Sequence, residues 1–356
     1  MPKIGFGVIG CGGNIGQFHA KAITQVRGVR LIGVADSLVE KAAAMGKKYG
    51  VAAFGDYQDL LSLPELDAVC VCLPSGLHAK AAIVSAKAGK HVLCEKPLGI
   101  TTRQVDRMIY AARQQKVLLG CVFQSRFSKA VRLARQAIAR GRFGRLVLGK
   151  VSVDWHRKPE YYETGGWHGT KKLDGGGAMM NQAIHTIDLL QLFFGPVKSV
   201  FGQTARRLHE YIEMEDLAVA TVLFANGALG SITATTASWP GQPARIEIHG
   251  TTGFAVIEDG RLAHWEFLKR WRVDDQIEVM IKQAQESIIG SAAADPTKSL
   301  NVEGHRLVIA DFAKAIRQGR APAINGPEGR KSVELIEATY ESAQSGLVVS
   351  LPRHRL

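Results

Sequence analysis

Two groups of residues in this chain have the types and spacing to do chemistry. Glu95-Lys96-Pro97 follows a short apolar run, His91 to Cys94, that is bounded by Gly89 on one side and Gly99 on the other. Such a run reads as a buried strand, and ligands of open parallel sheets sit at the carboxyl ends of the strands. Pro97 disfavours the helical region for Lys96, so the lysine is held extended in a turn as a fixed cation at a cleft mouth. Farther along, Asn181, His185 and Asp188 are spaced by four and three. On a helix that spacing places them on one face, apart from the apolar stripe of Met180, Ile184, Ile187 and Phe194. A histidine sharing a face with an acid can be a general base with an orienting partner. Taken alone, the same residues also describe a solvated loop lysine and a hydrogen-bonded helix face.

The elements that must position these residues are legible in order. Lys3 to Ile9 is β-rich, Gly10-Cys-Gly-Gly-Asn-Ile-Gly16 follows, and a helical pattern runs through Ala20, Ile23 and Val26. A second strand, Arg30 to Ala35, ends in Asp36. Glycines let the backbone approach a pyrophosphate whose charge the helix N-terminus favours, and an acid roughly 20 residues on accepts hydrogen bonds from the adenine ribose. The spacing is GxGxxxG, so the third glycine's duty falls to Ile15 or Gly16. Ser37 follows Asp36 with no adjacent arginine to offset a 2′-phosphate, which favours NAD over NADP. Gly10, Gly12, Gly13, Asn14, Ile15, Asp36 and Ser37 are the expected cofactor contacts.

Helical stretches at Leu38 to Tyr49, His78 to Ala88 and Thr101 to Gln115 alternate with strands at Ala68 to Leu73, His91 to Cys94 and Val117 to Val122. That alternation makes a parallel sheet with helices on both faces. Pro74, Ser75 and His78 then lie at the same sheet edge as Glu95 and Lys96, with His78 a helix-start residue or a cofactor neighbour. After Gln124 the pattern changes. A helix over Phe127 to Arg140, a strand over Leu146 to Trp155 and a loop rich in Gly, Tyr and Trp lead to a helix over Met179 to Phe194. Gly175-Gly-Gly before that helix suggests close backbone approach to a ligand. Beta runs follow at Leu217 to Phe224, Ala228 to Thr236, Arg245 to His249, Phe254 to Glu258 and Arg261 to Phe267. Asn226-Gly227 and Asp259-Gly260 supply the positive φ angles that tight hairpins need. Two helical stretches within 300–345, split at Asn325-Gly-Pro, close the chain, and Ser287 to Lys298 reads as its most mobile segment. The expected architecture is an α/β Rossmann dinucleotide-binding domain, residues 1–124, followed by an α+β domain with a large, mainly antiparallel open sheet, residues 125–356.

A chain of 356 residues with balanced hydropathy fits two self-sufficient cores. With no charged leader and no apolar run of membrane-spanning length, the expectation is a soluble, cytoplasmic protein with no membrane partner. The five cysteines are an odd number, and Cys70 and Cys72 point to opposite faces of one strand. Neither a disulfide framework nor a metal site is expected. Much of the +13 net charge is local, in Arg126, Lys129, Arg132, Arg135, Arg140, Arg142, Arg145 and Lys150. The reading is a solvated helix face with its C-terminal turn. A nucleic-acid partner is not expected, because stacking aromatics are nearly absent among these residues.

Together the pieces resemble the Gfo/Idh/MocA oxidoreductase family, named for glucose–fructose oxidoreductase and inositol dehydrogenase. The matching residues are Gly10 to His19, Pro74 to His78, Glu95-Lys96-Pro97, Gln124 to Phe127, Gly175 to Asp188, and the closing Asp311-Phe312 to Pro352. The resemblance implies NAD as cofactor, Pro74, Ser75, His78, Glu95, Lys96 and Gln124 among its contacts, and Lys96 and His185 as the catalytic pair. Asn181 stands where aspartate is frequent and implies a residue that orients the substrate hydroxyl; as an amide it holds substrate and cannot serve as a base. Asp188 is expected to orient the His185 imidazole. The stretch from Trp167 to His185 is similar to the subset acting on pyranosides and nucleotide-linked sugars, including 3-dehydrogenases of UDP-N-acetylhexosamine derivatives, with His168 where an arginine is expected. Lys96, Arg126, Tyr161, Trp167, His168, Asn181 and His185 are the implied substrate contacts. The partners implied are a carbohydrate, cyclitol or nucleotide-sugar substrate and a second copy of the chain, as a homodimer or homotetramer. Two alternatives stay open: an NAD-retaining glycosidase that works by transient oxidation, and a non-catalytic dinucleotide sensor.

Overall fold

Strands early in the chain are buried on both faces, as a parallel sheet covered by helices requires. In the computed structural model, which describes residues 2–163, 166–286 and 302–352, β1 (Ile4–Ile9) is buried at every position. With β2 (Val29–Ala35), β3 (Ala52–Phe54), β4 (Ala68–Val71), β5 (His91–Cys94) and β6 (Leu119–Cys121) it forms a six-stranded sheet in the order β3-β2-β1-β4-β5-β6. All five pairings are parallel. The order reverses between β1 and β4, and an open α/β sheet binds its ligand outside the carboxyl ends of the strands at such a switch point.

This unit comprises Met1–Gln124 together with Leu300–Val333. The division at 124 follows the change in sequence pattern, but the late helix Val302–Gln318 returns to the first unit. Its Phe312 packs edge-on against Phe6 of β1, centroids 6.4 Å apart. A side chain at Gly120 of β6 would come within 2.8 Å of the Phe312 ring, which explains glycine there. Cys121 donates its N–H to the carbonyl of Ile324 at 2.9 Å, adding the returning chain to the free edge of β6.

The second unit, Ser125–Ser299 with Glu334–Leu356, is built on an eight-stranded sheet. Its strands are β7 (Leu146–Asp154), β8 (Val197–Ala205), β9 (Leu217–Phe224), β10 (Leu229–Thr235), β11 (Arg245–Gly250), β12 (Gly253–Glu258), β13 (Arg261–Phe267) and β14 (Val349–Ser350), in the order β13-β12-β11-β7-β10-β9-β8-β14. Only β7 and β10 pair in parallel. Burial alternates along β9, so one face is covered and the other open. The helix Ile184–Phe194 lies on the covered face, where a side chain at Gly149 of β7 would meet Leu190 and Phe194 at 2.6 and 2.7 Å. At the β12–β13 hairpin both Asp259 and Gly260 have positive φ, 43° and 77°, as expected. At Asn226-Gly227 only the glycine does; Asn226 instead accepts from the Ala228 N–H at 3.0 Å and donates to the Phe194 carbonyl at 3.1 Å.

Two of the eight basic residues crowding 126–150 are not on a solvated face. Arg126 and Arg142 are buried, each 8% exposed. Arg142 makes two hydrogen bonds of 2.7 and 2.6 Å to Asp274 and stacks on Phe267 and Trp271, 4.0 and 4.3 Å from their centroids. Burial opposes ionisation of Asp274. The Arg142 guanidinium and the Trp271 and Trp265 N–H groups outweigh it and hold the carboxyl down to about 2. The segment Ser287 to Lys298, expected to be mobile, lies outside the described residues. Among the described residues no helix is long and apolar enough to cross a membrane, and the five cysteines are free thiols.

Candidate active site

The glycine loop has the shape its spacing implied, and Gly16 is the third glycine. A side chain at Gly16 would lie 2.2 Å from the Gly10 carbonyl, and one at Gly10, φ +82°, would lie 2.6 Å from that of Cys72. Gly13 caps the helix Asn14–Thr24 and, being glycine, offers no side-chain oxygen to its first N–H groups. Space beside Gly13 is open to 4 Å, so those N–H groups can take a phosphate. Asp36 accepts from the Gly12 N–H at 2.7 Å and the Leu38 N–H at 2.9 Å, fixing its carboxylate beside the loop. This cradle fits NAD. Asp36→Ser should weaken NADH binding about 10- to 100-fold, the loss of a charged hydrogen-bond acceptor, and should narrow the preference over NADPH; equal titrations of wild type and variant would refute the assignment.

At the neighbouring strand ends, Ser75 begins a single turn after Pro74 and is buried, and Gln124 begins another, Gln124–Phe127. His78 is the first residue of its helix. Its ring is 1% exposed, with Nδ1 2.8 Å from the Pro97 carbonyl and Nε2 2.7 Å from that of Leu73. Burial pulls its pKa down while the two carbonyls act against that. It fastens the turn after Lys96 to the turn after β4. Lys96 itself is half-buried at the end of β5.

In the second unit the helix expected from Met179 has two parts, a π-helical segment Ala178–Ala183 and an α-helix from Ile184. Such insertions recur at functional sites. From Gly176 to Leu190 every residue is buried except Asn181 and His185, which are half-buried. The two chemically capable side chains are therefore the ones this segment presents. The Asn181 amide donates to Asp174 at 2.7 Å and lies 3.4 Å from His168 Nδ1. Asp174, 2% exposed, also accepts from the Gly169 N–H at 2.8 Å. His168 stacks on Tyr161 at 4.3 Å and against Trp167 at 3.8 Å, and Tyr161 accepts from Gln182 at 3.1 Å. Burial pushes the Tyr161 phenol up, so it remains a neutral donor. Tyr161, Trp167, His168 and Asn181 thus come together as a polar cluster with aromatic faces, a chemistry suited to a sugar ring.

Arg126 and Asp188, which the sequence reading treats separately, pair with each other. Arg126 donates from Nε and Nη2 to the two Asp188 oxygens at 2.7 and 2.6 Å. This charge-assisted, bidentate pair is buried, with Asp188 on the same helix as His185.

Glu215 is the largest omission from the sequence reading. Its carboxylate accepts from the Gly177 and Met179 N–H groups, both at 3.0 Å, and from Tyr340 at 2.9 Å. Its own carbonyl accepts from the Ala178 N–H at 3.1 Å. A side chain at Gly177 would lie 1.7 Å from that carbonyl, and one at Gly176 2.5 Å from the Tyr340 hydroxyl. The close approach inferred from Gly175-Gly-Gly is therefore made to the protein's own Glu215 and Tyr340. Burial raises the Glu215 carboxyl from 4.5 to about 7 against these donors. A raised carboxyl means that the folded state binds more protons than the unfolded one between those values, so its contribution is greatest below about pH 4.5 and declines as pH rises through about 7. The full difference is on the order of 3 kcal/mol. Melting curves between about pH 5 and 8 should show a decline that is flattened in Glu215→Gln; parallel curves would contradict it.

Residues 4–123 match the oxidoreductase family with an NAD-binding Rossmann fold, and residues 131–256 match the GFO/IDH/MocA C-terminal domain. Among solved structures, the WlbA dehydrogenase from Bordetella pertussis in complex with NADH and UDP-GlcNAcA is 34% identical, covers 99% of this chain and 100% of its own, and superposes with a TM-score of 0.87. Levoglucosan dehydrogenase in complex with NADH and levoglucosan is 25% identical, with 99% and 100% coverage and a TM-score of 0.82. Myo-inositol 2-dehydrogenase of Thermotoga maritima is 28% identical over 97% of this chain and 98% of its own. The glycine cradle with Asp36, the sheet order, and these full-length matches make the chain an NAD-binding dehydrogenase of the Gfo/Idh/MocA family.

Proposed function

We propose that the protein oxidises a ring hydroxyl, at carbon 3, of a nucleotide-linked N-acetylhexosamine derivative. The observation that carries the reading is that Asn181 and His185 are the two half-buried positions of an otherwise buried segment, next to the aromatic wall of Tyr161, Trp167 and His168. The substrate class is supported by the WlbA dehydrogenases of Bordetella pertussis and Chromobacterium violaceum, 34% and 33% identical, whose structures hold UDP-GlcNAcA.

Bound NAD supplies the hydride acceptor. His185 takes the hydroxyl proton as the carbon–hydrogen bond breaks, a step worth about 10²- to 10⁴-fold when the base is positioned. Lys96 stabilises the negative charge that develops on the same oxygen, a contribution of similar size in a dry site. Asn181, its amide held by Asp174, orients the hydroxyl and carries no charge at any working pH. Assembly as a homodimer or homotetramer and a cytoplasmic location belong to the same proposal.

Initial rates of NADH formation with UDP-GlcNAcA, UDP-GlcNAc, levoglucosan and myo-inositol test the class. A kcat/KM for UDP-GlcNAcA about 10²-fold or more above the free sugars is expected, since a uridine diphosphate adds several charged contacts. Preference for an inositol would refute it, and release of free sugar without net NADH would establish the glycosidase alternative.

A further inference from the structure

Glu95 precedes the catalytic lysine in sequence, yet its side chain turns inward. It is 6% exposed and lies against two histidines, His19 and His305, each 1% exposed. One comes from the helix Asn14–Thr24 and the other from the returning helix Val302–Gln318. Glu95 Oε1 is 2.7 Å from His19 Nε2 and 3.4 Å from His305 Nε2. The two imidazoles meet edge-on at 5.1 Å, and His305 stacks over Phe18 at 6.4 Å. Glu95 Oε2 accepts the backbone N–H of Lys96 at 3.2 Å.

From this geometry we infer that Glu95, anchored by His19 and His305, is the positioning residue of Lys96. Burying a carboxylate costs more than burying an apolar side chain of similar volume. What Glu95 does here that an apolar side chain cannot is to accept the Lys96 N–H. Burial alone would neutralise it, but hydrogen bonds from the two histidines keep the carboxyl well below the usual range. One residue on, His78 Nδ1 contacts the Pro97 carbonyl at 2.8 Å and holds the peptide that follows Pro97. The lysine stem therefore starts from a Cα whose preceding peptide is fixed through Glu95, with the turn after it fixed at Pro97, and the returning helix contributes through His305.

The same three side chains offer a two-histidine, one-carboxylate donor set with atoms within 4.8 Å of one another. The 2.7 Å separation of His19 Nε2 and Glu95 Oε1 is a hydrogen-bond distance, whereas two ligands around a tetrahedral zinc stand about 3.3 Å apart at ordinary bond lengths. The hydrogen-bonded reading is the one the distances fit.

The inference rests on Lys96 being the catalytic cation, and the experiment separates the two. Glu95→Met, His305→Gln, the double variant and Lys96→Ala are compared in the full-length protein by kcat, KM, NADH affinity and melting temperature. Glu95→Met, which keeps the side-chain volume and removes the acceptor, should lower kcat about 10- to 100-fold, the effect of a misplacement near 1 Å, with NADH affinity within about threefold of wild type. His305→Gln, at the edge of the network, should show a smaller loss of the same kind and serves if Glu95→Met fails to fold. The double variant should be little worse than Glu95→Met, because neighbours acting through one network are not additive. An inactive Lys96→Ala beside folded Glu95→Met and His305→Gln proteins with wild-type kcat would overturn this inference alone; an active Lys96→Ala would overturn the reading beneath it. Zinc alone raising the melting temperature of wild type but not of Glu95→Met would also overturn it, in favour of a metal site.

Discussion

Lys96→Ala is expected to lower kcat by about 10³-fold or more, since one electrostatic contact to a developing oxyanion is worth 10²- to 10³-fold and this one carries a full charge. NADH affinity should change little, because the glycine cradle of Gly10 to Gly16 and the Asp36 carboxylate are built without the lysine. Lys96→Arg is expected to recover only part of the loss. The guanidinium keeps the charge but replaces a compact point donor with a planar fork. Steady-state rates with NADH titration by fluorescence check both; a Lys96→Ala enzyme within tenfold of wild type would remove the lysine from the chemistry.

Gly177→Ala carries the largest expected effect on folding. The added carbon would lie 1.7 Å from the Glu215 carbonyl oxygen. That carbonyl has little freedom to recede, because it accepts from Ala178 while the same residue's carboxylate holds Gly177 and Met179. Relief requires breaking the clamp that starts the π-helical segment. A loss above about 4 kcal/mol is expected, in the range reserved for overpacking combined with a broken buried network, which corresponds to a melting shift on the order of 10 °C. Any protein that folds should also lose activity, because Asn181 and His185 follow from that start. A melting temperature within about 2 °C of wild type would show that the segment is not held as described.

The first unit was legible because parallel strands buried on both faces leave apolar runs, and Ala68 to Val71 or His91 to Cys94 could hardly read otherwise. What escaped was short or non-local. Ala52–Phe54 has too few residues to show a period. The amphipathic helix Val302–Gln318 displays an apolar face without saying which core it joins, and it joins the first. In the second unit the strand Val197–Ala205 and the helix Arg272–Glu286 were not anticipated.

The candidate site divides the same way. Lys96, Asn181 and His185 stand out by type and spacing, and Tyr161 and His168 enter through the family resemblance. Their supports, Asp174, Glu215, His19 and His305, do not, since each is an ordinary residue until the fold brings it within hydrogen-bond distance of a distant partner. Spacing alone placed Asp188 beside His185; only the structure shows Arg126, 62 positions away, holding both of its oxygens. Nor does periodicity separate a π-helical turn from an α-helical one over six residues.

The most direct test of the account is hydride transfer itself, followed with UDP-GlcNAcA carrying deuterium at ring carbon 3 and NAD as acceptor. The account predicts that the deuterium appears on nicotinamide C4 of the NADH formed, with turnover from wild type and none from Lys96→Ala. Deuterium retained on the sugar while NADH accumulates, or no NADH from a protein shown to bind NAD, would contradict it.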